Sequence, residues 1–143
     1  MIVVDRRLFL FVLAMAAPPF EDALAQAGRL QGAWLEEGSS CASVFVATPT
    51  AVAFKRPASA FAPAFIISGQ RLSTPLATCR LAGMSPSGER QVLRLNCTTT
   101  VATDSARAVF APAADGRLYR YHSLEGGIAT TYQRCTRDAL KPP

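Results

Sequence analysis

From residue 30 onwards, apolar and polar positions alternate along the chain with a period of two, the pattern of strands that bury one face. Residues that favour turns, chiefly Gly, Pro, Ser and Asp, interrupt the alternation about every 8–12 positions, as in all-β proteins. The pattern predicts a series of strands at about 30–36, 41–47, 50–56, 65–72, 77–84, 90–100, 105–111, 117–122 and 128–135.

The connections between the predicted strands are short. The segments 85–89 (SPSGE), 112–116 (PAADG) and 123–127 (SLEGG) contain the residues that tight turns require, so consecutive strands are expected to pair as hairpins. An open meander exposes two long edges, whereas closure removes both. The sequence therefore predicts an all-β fold, a small antiparallel up-and-down β-barrel of about eight strands, with a β-sandwich as the alternative.

One hairpin can be placed in register from its side chains. Antiparallel pairing around residues 85–91 sets three pairs on one inner face: Cys79 with Cys97, Leu81 with Leu95, and Gly83 with Leu93. Directly opposed strand residues lie ~4.5–5.5 Å apart, within reach of a disulfide. We therefore expect a Cys79–Cys97 disulfide, which leaves Cys41 to pair with Cys135, although four cysteines allow three connectivities.

Residues 1–25 have the layout of a cleavable secretory signal peptide, since Arg6-Arg7 precede an apolar run over residues 8–17 and the small residues Ala23 and Ala25 follow. The apolar run is about half of the ~20 residues that span a bilayer. We expect a periplasmic or secreted bacterial protein, exported by the general secretory or the twin-arginine route, with no membrane span in the mature chain. Its domain would cover residues 26–135, followed by a flexible tail over 136–143.

Export also determines how the cysteines and the charge are interpreted. An oxidising compartment favours disulfides, and a zinc site is disfavoured because His122 is the single histidine and no Cys-x-x-Cys occurs. Without residues 1–25 the chain keeps 13 Lys and Arg against 7 Asp and Glu, a net charge of +6. Such a chain can meet an anionic envelope component, whereas nucleic acid is not expected as a partner outside the cytoplasm.

Two motifs carry a resemblance to known proteins. Gly32 and Trp34, with Cys41 shortly after them, resemble the start of calycin-type barrels, which include lipocalins, avidins and bacterial metalloprotease inhibitors. The ending TTYQRC (130–135) resembles the terminal Tyr-x-Arg-Cys of small bacterial envelope proteins that begin with Gly-x-Trp. The resemblance implies a small barrel in which Arg134 stacks on Trp34 at one end and Gly32 permits close approach of other atoms. It also implies an inhibitor-like activity.

Catalytic constellations are not evident in the sequence. His122 lies in a predicted turn beside Ser123, and disulfides account for every cysteine. The carboxylates of the mature chain fall mostly in predicted turns or loops, where no inward pair of acids is formed. We therefore predict that the protein is not an enzyme, that it has no catalytic or metal-binding residue, and that it needs no cofactor.

The candidate partner-binding residues form two groups. The first is the proline-punctuated segment 55–65 (KRPASAFAPAF), in which Lys55, Arg56 and Phe61 offer charge and an apolar tip. The alternative for Phe61 is a loop folded back into the core. The second group is Arg80 and Arg94, which point outward from the cysteine hairpin; the alternative is a solvated outer surface.

These observations together predict an exported, non-catalytic binding module that presents loops to a protein or to an anionic envelope component. An inhibitor is one form of such a module. One alternative is a carrier of a small ligand inside the barrel, and another is a structural subunit of an envelope complex. An interior filled by side chains would exclude the carrier, because eight strands leave room for side chains or one small ligand. The residues expected to fill it are Phe45, Phe54, Ile66, Leu81, Leu95 and Leu118.

Overall fold

The computed structural model describes residues 26–141; the predicted signal peptide lies outside the described residues. Residues 26–30 are helical, and strands dominate the chain that follows. Two short helices are also present, α1 (Cys41–Val44) and a 3-10 helix (Asp138–Leu140). The strands are β1 (Gly32–Glu36), β2 (Phe45–Ala47), β3 (Val52–Phe54), β4 (Ala64–Ser68), β5 (Arg71–Ser73), β6 (Thr78–Ser87), β7 (Arg90–Thr98), β8 (Thr103–Pro112), β9 (Leu118–Tyr121) and β10 (Ala129–Cys135).

Eight of these strands form a closed antiparallel barrel in the order β1-β10-β9-β8-β7-β6-β5-β4. From β4 to β10 each strand pairs with its successor along the chain. β1 closes the barrel, because Trp34 lies opposite Arg134 on β10 and opposite Phe65 on β4. The predicted barrel is confirmed, and both predicted disulfides, Cys41–Cys135 and Cys79–Cys97, are present.

The segments predicted as strands 41–47 and 50–56 do not join the barrel. Residues 41–44 form α1, and β2 and β3 make a separate two-stranded sheet in which Phe45 lies opposite Phe54. The prediction was wrong here because alternation shows that a segment is half-buried but not which strand it pairs with. With α1 and the 3-10 helix, this sheet forms an outer layer on the outside of the barrel wall.

The outer layer encloses a second hydrophobic core against β1, β4 and β10. The disulfide from Cys41 to Cys135 crosses this interface, and Leu140 from the predicted C-terminal tail packs there as well. The buried members of the second core are Ala33, Leu35, Phe45, Ala64 and Cys135. β1 is therefore covered on both faces, with Trp34 inside the barrel and its two neighbours beneath the outer layer.

The segment predicted as one strand, 65–72, is a hairpin of two strands. β4 ends at Ser68 and β5 begins at Arg71. Gly69 allows the reversal because its φ of 60° lies in the left-handed region that glycine adopts without strain. The correction matters for the barrel, since β5 supplies one of its eight strands.

The cysteine hairpin, β6 with β7, has the predicted register at its disulfide end. Cys79 lies opposite Cys97 and Leu81 opposite Leu95. A β-bulge after Leu81 then shifts the pairing by one residue, so that Gly83 lies opposite Arg94, and the predicted Gly83–Leu93 pair is wrong. A bulge adds one residue to one strand, and the side-chain alternation gave no signal for it.

Three of the six side chains that were expected to fill the barrel interior lie there. Leu95 and Leu118 are buried in the interior core and Leu81 packs against it, whereas Phe45, Phe54 and Ile66 lie in the second core outside the wall. The buried interior side chains are Leu30, Trp34, Phe65, Ile67, Leu72, Cys79, Leu93, Leu95, Ala108, Phe110, Leu118 and Tyr132. Other large side chains, among them Phe65, Phe110 and Tyr132, thus fill the interior where the sequence suggested Phe45, Phe54 and Ile66.

Candidate functional site

The two ends of the barrel differ. β1 begins and β10 ends at one end, which we call the closed end because residues 26–31 lie across it. Two polar contacts fix this segment to the turns there: Gln31 exchanges hydrogen bonds with the backbone of Gly69, and Arg29 donates to the carbonyl of Ala113. The opposite end, the open end, carries the loops at residues 55–63, 74–77, 99–102 and 122–128.

Trp34 and Arg134 seal the closed end. The indole Nε1–H of Trp34 donates to the carbonyl oxygen of Leu30 at 2.8 Å, and the guanidinium of Arg134 lies over the indole, 4.5 Å from its centroid. Arg134 also donates to the carbonyl oxygens of Arg29 and Gln31. Partial burial lowers the pKa of Arg134 from its ordinary value, yet the group stays cationic at neutral pH.

Gly32 is required by this arrangement for two reasons. Its φ is 135°, which side chains rarely adopt, and a Cβ atom at this position would lie 2.9 Å from Nη1 of Arg134. The indole N–H of Trp34 and two guanidinium nitrogens of Arg134 donate hydrogen bonds to backbone carbonyl oxygens. The Gly-x-Trp motif and Arg134 therefore build the closed end.

The open end holds an apolar cavity of about 350 Å³. Its wall includes the Cys79–Cys97 disulfide, and loop residues such as Ala62 and Leu76 lie at its rim. Ala106 and Ala108 occupy the inward positions of β8 here, and their short side chains leave the space unfilled. The apolar floor consists of Phe65, Leu72, Leu95, Ala108, Phe110 and Tyr132.

Exposed apolar side chains occur on all four open-end loops, and one of them, Leu76, lines the cavity. Among the described residues, Phe61 is 92% exposed, Val101 90%, Ile128 77%, Leu76 59%, and Leu124 and Val46 39% each. All except Val46, which lies on β2, belong to the four open-end loops. Exposed apolar residues are common singly, but their occurrence on every loop at one end favours an interaction site there.

The Phe61 loop is anchored at both ends and projects at its tip. Its root is held by hydrogen bonds from Lys55 N to Val44 O at 2.9 Å and from Glu36 N to Pro63 O at 3.0 Å. Neighbours of Phe61 in the loop line the cavity, whereas its own ring points to solvent. The alternative in which Phe61 folds back into the core is therefore not adopted.

Arg120 brings a positive charge to the apolar cavity, a feature that the sequence reasoning missed. It lies opposite Phe110 on β8 and Thr130 on β10, so its side chain shares the inward side of the barrel wall with Phe110. Arg120 lines the cavity and makes no ion pair with any described residue. Asp104, which lies at the inward rim of β8, does not pair with it either. The alternation within β9 could have predicted the inward position of Arg120, because Leu118 and Arg120 lie on the same face of this strand.

The two predicted groups of partner-binding residues lie on different surfaces. Lys55 and Arg56 are exposed at the root of the Phe61 loop, at the open end. Arg80 and Arg94 are exposed on the outer side of β6 and β7, on the barrel wall. Lys55, Arg56 and Phe61 share one loop, but Lys55 lines a groove of the outer layer with Val46, and Arg56 lines another groove beside Ser73. The structure therefore does not bring the candidate partner-binding residues together in one site.

His122 is exposed, and its Nε2 lies 3.2 Å from the hydroxyl of Thr130. Within residues 26–141 no three His, Cys, Asp or Glu side chains approach closely enough to hold a metal ion. No helix in that part of the chain has the length and apolar character to cross a membrane.

Comparison of the chain with protein-family models, curated proteins and solved structures gives no match.

Proposed function

We propose that this protein is an exported, non-catalytic binding module that engages a partner protein through the open end of its barrel. One observation carries the proposal: an apolar cavity opens beside two of the loops at the open end, and the four loops at this end carry five exposed, large apolar side chains. Loops held by a rigid scaffold are a common place for recognition. The two disulfides favour an oxidising compartment, periplasmic or extracellular.

The shape of the open end favours a protein over a flat surface as the partner. The loop tips offer projecting apolar groups, while the cavity can receive one apolar side chain from the partner. Well-packed apolar anchors surrounded by a rim supply most of the binding energy in protein interfaces. Arg120 in the cavity adds positive charge, which favours an acidic group beside that anchor.

Site-specific photo-cross-linking tests the proposal. A photoreactive amino acid at Phe61 is expected to give one dominant protein adduct in envelope or culture extract, whereas the same probe at Val46 gives none. The purified partner should bind Phe61→Ala about 10–100-fold more weakly, a loss typical of a buried aromatic anchor. The matched control is Val46→Ala, since both side chains are exposed but Val46 lies away from the open end.

Equal adducts at both positions, or unchanged affinity of Phe61→Ala, would contradict a partner site at this end. The resemblance to metalloprotease inhibitors suggests one class of partner to include. If a secreted metalloprotease is the partner, its inhibition constant should rise for Phe61→Ala and stay constant for Val46→Ala.

A second candidate function, carriage of a small ligand, is favoured by the cavity itself. Its volume of about 350 Å³ is at the lower end of the ~300–1,000 Å³ range of small-molecule sites. An apolar floor with one inward guanidinium, Arg120, suits a small apolar carboxylate. A thermal-shift titration with aromatic and short-chain carboxylates and their alcohols tests this: a rise in Tm selective for the acids supports carriage, and no rise with either excludes it.

A further inference from the structure

The outer surface of strands β5 to β8 carries four exposed arginines, Arg71, Arg80, Arg94 and Arg107, which we call the arginine face. The strand register sets them in two directly opposed pairs. Arg71 on β5 lies opposite Arg80 on β6, and Arg94 on β7 lies opposite Arg107 on β8. Both pairs point away from the interior core, because their neighbours along each strand, such as Leu72 and Ala108, point into it.

Placing like charges directly opposite each other on a sheet destabilises the folded state. An adjacent acidic side chain normally neutralises cations that pair across strands. The outward residues next to these arginines are instead the uncharged Asn96 and Ser105. None of the four arginines forms an ion pair with a described residue. The fold thus concentrates positive charge on one side of the wall without neutralising it.

An open groove of about 600 Å³ runs over the part of the wall that carries Arg71 and Arg80, and Arg94 and Arg107 lie beside it on β7 and β8. Neutral donors and acceptors alternate with the cations along it. The polar side chains that line the groove are Gln70, Arg71, Thr78, Arg80, Asn96 and Thr98. A guanidinium offers two parallel N–H donors to a carboxylate or a sulfate, and the amides and hydroxyls between the arginines suit a ligand rich in hydroxyl groups.

From charge complementarity and this pattern of neutral donors and acceptors, we propose that the arginine face binds an acidic polysaccharide. This site is separate from the open end, and its ligand is a chain of sugars that carries regularly spaced carboxylate or sulfate groups. Arg71 with Arg80 binds one anionic group in the groove, and Arg94, whose guanidinium lies over Gly83 on β6, binds a second one beside it. Asn96 and the neighbouring threonines bind hydroxyl groups, and Arg107 adds positive charge to the same wall.

Two other polyanions fit this surface less well. Single-stranded nucleic acid is normally held by aromatic side chains on which the bases stack, and strands β5 to β8 present no aromatic residue at the groove. A membrane surface is normally bound with apolar side chains inserted between the lipids. The exposed large apolar residues among the described part of the chain all lie outside β5 to β8.

Binding of the full-length mature protein to polygalacturonate, measured by biolayer interferometry, tests the proposal. Polygalacturonate is linear and carboxylated, and its fully methyl-esterified form is the uncharged probe. We expect at least tenfold tighter binding of the acid form at low salt, with an affinity that falls as salt rises. Dextran sulfate is a second probe that shows whether sulfate replaces carboxylate.

The test variant is Arg80→Gln/Arg94→Gln, which removes one cation from each opposed pair. We expect at least a tenfold loss of affinity and a shallower dependence of log Kd on log salt. Its Tm should be equal to or above that of the parent, because repulsion between paired arginines is relieved. The control is Lys55→Gln/Lys141→Gln, which removes the same charge from the outer layer, where both lysines line one groove, and should retain affinity within about twofold.

Three outcomes would overturn the proposal. The first is equal binding of the acid and esterified polymers. The second is an equal loss of affinity in the control variant, which would indicate a response to net charge alone. The third is tighter binding of poly-deoxythymidine, a poly-glutamate peptide or phosphatidylglycerol vesicles than of either acidic polysaccharide, which would assign the surface to that class of partner.

Discussion

Trp34 illustrates how one side chain in this protein connects distant parts of the sequence. Its ring packs in the interior core, its Nε1–H binds the carbonyl of Leu30, and its outer face meets Arg134. A buried indole needs a partner for its N–H, and a nearby cation adds about 1–2 kcal/mol when partly desolvated. The seal of the barrel thus depends on three contacts that a smaller apolar residue cannot reproduce.

Gly32 gives a direct test of this seal. We expect Gly32→Ala to lower the free energy of unfolding by about 1–3 kcal/mol, because its φ is unfavourable for alanine and the new methyl group would displace Arg134. Urea unfolding followed by circular dichroism measures the change.

The matched control is Gly28→Ala. Gly28 is helical, and a Cβ atom there meets nothing within 4 Å, so this substitution should leave stability unchanged or raise it slightly. Equal stability of the two variants would contradict the role assigned to Gly32.

At the scale of elements, the outer layer is the part that the sequence pattern did not reveal. β2 (FVA) and β3 (VAF) are short apolar strands, so their local pattern gave no indication of their separate sheet. The signal was in the strands that they cover: Ala33, Trp34 and Leu35 are consecutive apolar residues, and 64–67 is a similar run. Such runs indicate strands buried on both faces.

The register of the cysteine hairpin could be predicted because two observations coincided, the alternation of leucines and the spacing of Cys79 and Cys97. The bulge after Leu81 could not, because a bulge leaves the composition of both strands unchanged. Pairing of β1 with both β4 and β10 could be expected only from the general need to close edges.

The two disulfides should contribute unequally to stability. Cys41 and Cys135 are separated by 94 residues, and Cys79 and Cys97 by 18. In the chain-entropy model these loops correspond to about 4.7 and 3.2 kcal/mol. We expect Cys41→Ser/Cys135→Ser to destabilise more than Cys79→Ser/Cys97→Ser, as measured by denaturant midpoints with equal m-values.

The first pair also joins the outer layer to β10, so its loss should expose the second core. Increased binding of a hydrophobic dye by Cys41→Ser/Cys135→Ser, and not by the other pair, would report this exposure. The reverse order of stability would argue against the loop-length explanation.

At the scale of the whole molecule, four regions of the barrel have different chemistry. The closed end is sealed by residues 26–31, one side is covered by the outer layer, the β5 to β8 side carries the arginine face, and the open end is apolar. The exposed loop at Phe61 could be predicted from its prolines and length. The cavity could not, because it depends on which alanines face inward after the strands have paired.

Filling the cavity separates the two candidate functions. Ala108→Leu should raise the free energy of unfolding by about 1 kcal/mol, a common gain from cavity filling, and should abolish any carboxylate-dependent rise in Tm. The photo-adduct at Phe61 should persist, since the loop tips are unchanged. Ala82→Leu, at an exposed position beside the bulge, is the control and should alter neither property.

If Ala108→Leu removes the adduct as well, the cavity itself receives the partner, and the two candidate functions share one site. If ligand shifts survive the substitution, the ligand binds elsewhere on the protein.

The direction of the first and last barrel strands determines how this protein can be tethered. β1 leaves the closed end and β10 returns to it, so the backbone flanking the barrel emerges on the side opposite the four loops. An attachment through the residues before β1, by a fused domain or by a surface linker, would hold the barrel upright with its recognition loops directed away from the support, whereas the segment after β10 packs against the outer layer. Immobilisation through the residues before β1 should therefore preserve binding, whereas attachment through residues 99–102 should block it.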